Sequence, residues 1–126
     1  MADIILLDTG IVFEFFSNKI SSSKTENLLY ESRATISTLT IFELFNGVTN
    51  EKHIEQREQF VKLCHIIDFT ESIARKASEI YTKLKLSGEL IDTVDIMIAA
   101  SAMQRKISLF TNNKNHFERI PGLVLY

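Results

Sequence analysis

The sequence is poor in the residues that cross-link a chain or interrupt its folded segments. Among its 126 residues it has one cysteine, Cys64, one proline, Pro121, and four glycines. A single cysteine excludes an internal disulfide and a zinc site built from several cysteines, and it fits a reducing compartment, so we expect a cytoplasmic protein. Because no linker, low-complexity run or internal repeat divides the chain, we expect one domain over residues 1–126.

Long hydrophobic runs and an excess of positive charge are missing as well. No stretch reaches the roughly 20 apolar residues of a membrane span. The apolar N-terminal segment lacks the basic start of a signal peptide and is interrupted by Asp3, Asp8 and Glu14. We therefore predict no association with membranes. The net charge is −2, whereas strong non-specific nucleic-acid binders are usually basic, so the charge argues mildly against such a role and leaves open a local basic patch.

What the chain does have is a regular alternation of short apolar runs and helical stretches. Strands are predicted at residues 3–8, 34–37, 65–69, 107–111 and 122–126. Helices are predicted at residues 10–18, 21–32, 40–48, 50–64, 71–88 and 94–106, with a short turn or helix at 113–120. The alternation predicts an α/β domain of three layers, with helices on both faces of a central, mostly parallel sheet of about five short strands.

Acidic side chains follow several of these predicted strands. Asp8 closes the first strand, and Glu43 lies in the first turn of the helix after the second strand. Asp92 and Asp95 begin the helix before the fourth strand, and the segment "TNN" at 111–113 follows that strand. Because sites in parallel sheets lie at the carboxyl ends of the strands, we expect these side chains to converge.

A convergence of carboxylates has a definite chemical meaning. Carboxylates within a few ångströms repel one another and resist desolvation, so such a cluster persists if a cation neutralises it. Ligands that are all oxygen favour Mg²⁺ or Mn²⁺ over zinc. A metal of this kind polarises a phosphate and lowers the pKa of a bound water, which suits phosphoryl chemistry.

Helix capping explains the same acids without any metal. Thr40 and Glu43 have the spacing of a capping box. Asp92 and Asp95 have the spacing of an N-cap followed by a first-turn acid, and Asp8 could cap the first helix. The two explanations are compatible, since Asp92 could cap the helix while Asp95 binds a metal.

The histidines carry no clear signal. Cys64 and His65 are adjacent beside a predicted strand and are interpreted as a buried structural pair. His53 and His116 are interpreted as surface or packing residues, because the sequence identifies no partner for either of them.

Four segments in order resemble the signature blocks of PIN-domain ribonucleases. They are "LLDTG" at 6–10, "ISTLTIFELFNG" at 36–47, "VDIMIAASA" at 94–102 and "LFTNNKNHFERIPGL" at 109–123. The spacing and the ending "HFERIPGL" are similar to those of the VapC-type toxins of toxin–antitoxin pairs. The resemblance covers essentially the whole chain and implies a PIN-like version of the three-layer fold.

The resemblance also assigns site residues. It implies that three acids hold the metal and, together with a fourth residue, form the catalytic set; these are Asp8, Glu43, Asp95 and the fourth residue, Asn113. Two hydroxyls, Thr40 and Thr111, match positions that support the site, and Asp92 matches an auxiliary position. One residue departs from the family pattern, because Gly10 stands where an asparagine usually braces the site.

The activity and partners that the resemblance implies are specific. It implies an endoribonuclease, a hydrolase that depends on Mg²⁺ or Mn²⁺ and in many members cuts tRNA or rRNA. It further implies a homodimer that acts as the toxin of a type II toxin–antitoxin system and is inhibited by a cognate antitoxin protein. A surplus of apolar residues indicates either a partner groove or dimer interface, or a helix wedged deep in the core; these residues are Phe13, Phe15, Phe16, Leu28, Leu29, Phe42 and Phe45.

Two other classes of protein are alternatives. In a catalytically inactive PIN-like protein-interaction module, the acids would be caps and the apolar surface would bind a partner. A receiver-like phospho-acceptor domain needs an acidic pair at the first strand and a lysine that closes the last strand. The first strand offers only Asp8 at its end and the lysine is missing, so this class is disfavoured.

Overall fold

The fold is built on one parallel sheet. A computed structural model describes residues 3–18 and 22–126. Its sheet has four strands in the order β3-β2-β1-β4, and all neighbouring strands are parallel. The strands are β1 (Ile5–Leu7), β2 (Ala34–Ser37), β3 (His65–Ile67) and β4 (Ser108–Phe110). Because the strands are parallel, their carboxyl ends share one edge of the sheet.

Helices connect and cover the strands, as the alternation predicted. They are α1 (Thr9–Phe16), α2 (Ser22–Tyr30), α3 (Thr38–Phe45), α4 (Glu51–Lys62), α5 (Glu71–Leu86), α6 (Thr93–Arg105) and α7 (Lys114–Phe117). Within the described ranges, each helix is too short or too polar to cross a membrane.

Two hydrophobic cores lie on opposite faces of the sheet. Side chains of a strand point alternately to its two faces, so Leu6 packs with residues of α5 and α6, while Ile5 and Leu7 pack with residues of α1 to α4. β1 is buried along its whole length, which explains its uninterrupted apolar sequence. The predicted arrangement of helices on both faces of a parallel sheet is confirmed.

The predicted fifth strand at 122–126 is reduced to a single bridge. Leu109 pairs with Leu125 in parallel, through hydrogen bonds from Leu109 N to Val124 O (2.9 Å) and from Tyr126 N to Leu109 O (2.8 Å). Residues 121–122 form a turn, and Leu123 N still donates to Ile120 O, so the chain reaches β4 only over its last three residues.

The start of α3 also differs from the prediction. Ser37 has an extended backbone, and its hydroxyl accepts a hydrogen bond from Leu39 N at 3.0 Å, so Ser37 is the N-cap. Thr40 therefore lies inside the helix, and the predicted capping box of Thr40 and Glu43 is wrong. Glu43 lies in the second turn rather than the first.

Candidate functional site

The candidate residues lie at the carboxyl edge of three neighbouring strands. Asp8 follows β1 directly, and Thr111 follows β4, which is paired with β1. Thr40 and Glu43 are in α3, which follows β2 on the other side of β1. Parallel pairing thus brings together side chains that are up to 103 residues apart in the sequence.

Asp8 is the most buried acid of this edge. It is 8% exposed, and its Oδ2 accepts a hydrogen bond from Thr111 Oγ1 at 2.8 Å. Asp8 occupies the N-cap position of α1, yet its side chain makes no capping hydrogen bond, so the interpretation of this carboxylate as a helix cap is wrong. Burial raises the pKa of Asp8, and the charges of Glu43 and Glu14 raise it further, while hydrogen bonds from the Thr111 hydroxyl and the Thr9 amide oppose the rise.

A chain of hydroxyls holds Glu43 in place. Thr9 Oγ1 donates to Glu43 Oε1 at 2.8 Å, and Thr40 Oγ1 lies 2.9 Å from Thr9 Oγ1. Because the Thr9 proton goes to the carboxylate, Thr40 is the donor to Thr9. The chain fastens α1 to α3, and both threonines are buried. Thr9 was missed in the sequence, although it stands directly after Asp8 in "LLDTG".

The two acids at the start of α6 have different surroundings. Asp92 is exposed and is the N-cap of α6, where its Oδ1 accepts a hydrogen bond from Val94 N at 2.9 Å. Asp95 is partly buried in the first turn. Burial, followed by the charges of Asp8, Asp92 and Glu43, raises the pKa of Asp95 to about 6.

The segment after β4 completes the edge. Thr111 Oγ1 donates to Asp8 and accepts a hydrogen bond from Asn113 N at 2.9 Å. The side-chain nitrogen Nδ2 of Asn113 lies 2.8 Å from Nδ1 of His116. His116 was interpreted as a surface or packing residue, and its spacing of three from Asn113 was the only signal in the sequence.

A cleft of about 270 Å³ opens beside Asp8, lined by Asp8, Gly10, Ile11, Glu14, Asn112 and Asn113. Glu14 accepts a hydrogen bond from Asn112 Nδ2 across this cleft. A Cβ atom built on Gly10 would meet only Asp8 Oδ2, at 3.8 Å, which is ordinary van der Waals contact, so the position has room for a Cβ atom. Glu14 and Asn112 were not singled out as site residues; an acid within the apolar helix α1 was the available signal.

The donor chemistry of this edge fits a hard divalent cation. The side chains at this edge offer carboxylate, amide and hydroxyl oxygens, and Mg²⁺ and Mn²⁺ prefer oxygen ligands. The ion pairs among the described residues, Arg33–Glu31 and Arg75–Glu71, do not involve Asp8, Glu43 or Asp95. Within residues 3–18 and 22–126, no three His, Cys, Asp or Glu side chains are already arranged around a metal position.

A larger cavity, of about 800 Å³, lies at the opposite edge of the sheet. It is lined by Ile4 and Ile5 at the start of β1 and by Ile107 and Ser108 at the start of β4. It contains none of the candidate acids, so cavity size does not identify the chemical site in this protein.

Comparison with known proteins gives a consistent result. The PIN domain family matches residues 5–123. The chain is 35% identical to Ribonuclease VapC1 of Methanocaldococcus jannaschii, over 97% of this chain and 86% of that protein. It is 30% identical to the tRNA(fMet)-specific endonuclease VapC of Shigella flexneri, over 94% of this chain and 92% of that protein.

Solved structures agree with the sequence comparison. The DNA-bound VapBC of Salmonella typhimurium matches with a TM-score of 0.86 and 28% identity, over 99% of this chain and 98% of that one. VapBC2 of Rickettsia felis, bound to a DNA fragment from its promoter, matches with a TM-score of 0.84 and 28% identity, over 98% and 97%. The chain therefore belongs to the PIN-domain family and, within it, to the VapC-type ribonucleases.

Proposed function

We propose that this chain, as a single PIN domain, is an endoribonuclease toxin that depends on Mg²⁺ or Mn²⁺ and hydrolyses RNA phosphodiester bonds. The observation that carries the proposal is the convergence of Asp8, Glu43 and Asp95 at one sheet edge, where burial, followed by the charges of Asp8, Asp92 and Glu43, raises the pKa of Asp95 to about 6. A cluster of carboxylates that repel one another gains stability from a cation. Because the chain belongs to the VapC-type ribonucleases, we propose that this cation takes part in RNA hydrolysis.

Each residue has a role in this proposal. Asp8, Glu43 and Asp95 hold the metal, and Asn113 supplies a further oxygen. When bound, the metal supplies Lewis acidity that activates water and stabilises the charge that develops on the phosphate. Thr111 orients Asp8 through its 2.8 Å hydrogen bond, and Thr40 orients Glu43 through Thr9.

The apolar body of α6 fixes the direction in which Asp95 points. Ile96, Ile98, Ala99 and Ala100 are buried in the core that covers one face of the sheet. Asp92 caps this helix and adds negative charge beside Asp95, so its auxiliary part is to hold the helix start and to tune Asp95.

The substrate class follows from the relatives. VapC relatives that are 30% identical to this chain carry the name tRNA(fMet)-specific endonuclease. We therefore propose tRNA as the first substrate to test, with initiator tRNA compared against an elongator tRNA and an rRNA fragment. We propose that the protein cleaves its RNA substrate in the cytoplasm.

A cognate antitoxin is the proposed protein partner. Solved structures similar to this chain are VapBC toxin–antitoxin complexes. The apolar surplus is divided in the structure, because Leu28 is buried while Phe13 and Phe42 are 38% and 66% exposed. The exposed rings lie next to Glu14 and Glu43 in the sequence, so a partner that covers them would also approach the acidic edge.

A homodimer is proposed on a separate surface. An apolar groove of about 240 Å³ lies along α5 and α6, and Phe69, Tyr81 and Met97 are among its lining residues. A second copy of the chain would bury this groove. A non-catalytic interaction module is not favoured, because such a module has no need for acids that raise one another's pKa.

Cleavage of purified RNA tests the catalytic proposal. The wild-type protein should cut tRNA in Mg²⁺ or Mn²⁺ and stop when EDTA is added, and Asp8→Asn should lose cleavage by at least about 100-fold. Asp68→Asn is the matched control, because Asp68 is an exposed aspartate after β3 and should retain full activity. Cleavage by Asp8→Asn at the wild-type rate, with the contaminating nuclease level set by a mock purification, would refute the mechanism.

A further inference from the structure

The contact between His116 and Asn113 is not explained by the roles proposed above. His116 is partly buried on α7, and its Nδ1 lies 2.8 Å from Asn113 Nδ2. Building on the proposed function, we infer that His116 is a positioning residue that selects one orientation of the Asn113 amide. In that orientation the amide nitrogen faces His116, and the oxygen Oδ1 is the end that is available to a cation.

An asparagine side chain needs such a selection. Its nitrogen donates hydrogen bonds, and only its oxygen can bind a cation. The two ends have nearly the same shape, so packing hardly distinguishes them, and a half-turn of the amide exchanges them. A neighbour that accepts a hydrogen bond but cannot donate one at that atom fixes the choice. Nδ1 of a neutral imidazole with its proton on Nε2 is such an acceptor.

The helix cap shows that Oδ1 is not used elsewhere. Asn113 is the N-cap residue of α7, a position where the side-chain oxygen ordinarily accepts a backbone hydrogen bond from the first turn. Asn113 makes no such bond, and its backbone is not extended, with φ −96 and ψ 52. Across the described segments of the chain, Oδ1 accepts no hydrogen bond.

The backbone of Asn113 is fixed independently of its side chain. Its N–H donates to Thr111 Oγ1 at 2.9 Å, and the same hydroxyl donates to Asp8 Oδ2 at 2.8 Å. Asn113 and Asp8 also line the same cleft. Thr111 therefore sets the position of the residue beside Asp8, and His116 sets which end of its amide is free.

The tautomer of the wild-type ring gives a test that needs no variant and no metal. In the metal-free protein, nitrogen NMR should show that the proton of His116 is on Nε2 and that Nδ1 is an acceptor. A ring that carries its proton on Nδ1 would donate to the amide oxygen instead. That result would overturn the inference.

A comparison in two backgrounds tests the consequence for metal binding. His116→Phe keeps a ring and removes the acceptor, and it should weaken Mn²⁺ binding, measured by calorimetry, about tenfold. In an Asn113→Asp background the two oxygens are equivalent, so the same substitution should change the affinity by less than about twofold. His53→Phe, at an exposed histidine in the first turn of α4, is the matched control and should leave the affinity unchanged.

The outcomes separate this inference from the function on which it rests. If Asp8→Asn weakens Mn²⁺ binding and His116→Phe does not, the metal site stands and the role of His116 is refuted. Equal losses in the wild-type and Asn113→Asp backgrounds would also refute it, because the effect would then not depend on amide orientation. If the wild-type protein binds no Mn²⁺, both proposals fail. If His116→Phe does not fold, the tautomer of the wild-type ring decides.

Discussion

Two buried threonines differ in whether their hydroxyls have partners. Thr111 is 1% exposed, and its Oγ1 both donates to Asp8 and accepts from Asn113 N. Thr25, in α2, is fully buried, and its Oγ1 has no hydrogen-bond partner within residues 3–18 and 22–126. A buried hydroxyl that satisfies a carboxylate stabilises the fold, whereas one without a partner costs free energy.

The same substitution should therefore have opposite effects at these two sites. Thr→Val preserves the shape of the side chain and removes only the hydroxyl. Thr111→Val should lower the free energy of unfolding by about 2 kcal/mol, because it leaves Asp8 and the Asn113 amide without their partner. Thr25→Val should raise it by up to about 1 kcal/mol. Urea denaturation in EDTA measures both, and a loss of the same size at the two sites would contradict the hydrogen-bond assignment.

At the scale of the element, α6 separates two acids that the sequence presents as a pair. Asp92 accepts a hydrogen bond from Val94 N and caps the helix. Asp95 stands one turn further on and is coupled to Asp8 and Glu43. Asp92 therefore stabilises the start of α6. Asp95 instead adds a negative charge that interacts with those of Asp8 and Glu43.

Substitutions at Asp92 should show that its main role is to cap helix α6. Asp92→Ala removes the cap and should lower the free energy of unfolding by about 1 kcal/mol, whereas Asp92→Ser keeps a capping oxygen and should cost only a few tenths. Both variants should retain RNA cleavage within about tenfold, because Asp92 is proposed as auxiliary. Denaturation and initial cleavage rates are the measurements. A loss of cleavage in Asp92→Ser as large as in Asp95→Asn would make Asp92 a metal ligand.

Much of this arrangement was predictable because the relevant signals are local. Asp8 directly follows the apolar run of β1, and parallel topology then places it beside the segment after β4. The contacts of Thr9 and His116 were not predictable. Thr9 meets Thr40 across 31 residues, and the His116 contact depends on how the amide of Asn113 is turned.

The predicted start of helix α3 was wrong because two residues were equally suitable as its N-cap. Ser37 and Thr40 are both good N-cap residues, and the sequence alone does not choose between them. In the structure Ser37 caps α3 through its hydrogen bond from Leu39 N, and Thr40 lies inside the helix, where its hydroxyl bonds to Thr9. The apolar segment at 122–126 has the sequence of a strand, but the preceding turn at 121–122 lets it meet β4 only over its last three residues.

At the scale of the whole molecule, the carboxyl edge of the sheet, which separates the two hydrophobic cores, collects negatively charged side chains. Asp8 and Asp95 both have a pKa that is raised above the ordinary value of 3.8, that of Asp95 to about 6. Between about pH 4 and pH 6 the Asp95 carboxyl is thus protonated to a larger extent in the folded protein than in the unfolded chain. The contribution of Asp95 to the free energy of unfolding therefore falls as pH rises through this range, and its penalty is fully present well above pH 6. Asp8 acts in the same direction, because its pKa is also raised.

This charge balance predicts how metal, pH and Asp95 act together on stability. In EDTA at about pH 7.5, Asp95→Asn should be more stable than the wild type by about 1 kcal/mol, a discounted value because the side chain is only partly buried. Near pH 4 the gain should vanish, because the wild-type carboxyl is then protonated in the folded state. Mn²⁺ at about 100 times its Kd should stabilise the wild type by about 2.7 kcal/mol at pH 7.5, and much less at pH 5, because protons compete for the same oxygens.

Urea denaturation of both proteins at the two ends of this pH range, with EDTA or Mn²⁺, measures these differences. Asp95→Asn should lose most of the stabilisation by Mn²⁺, while Asp68→Asn should follow the wild type throughout. Mn²⁺ and Asp95→Asn relieve the same repulsion between carboxylates. The stability gained from one should therefore be small when the other is already present. If the wild type and Asp95→Asn had parallel pH profiles and equal responses to Mn²⁺, the acidic edge would not be a cation site.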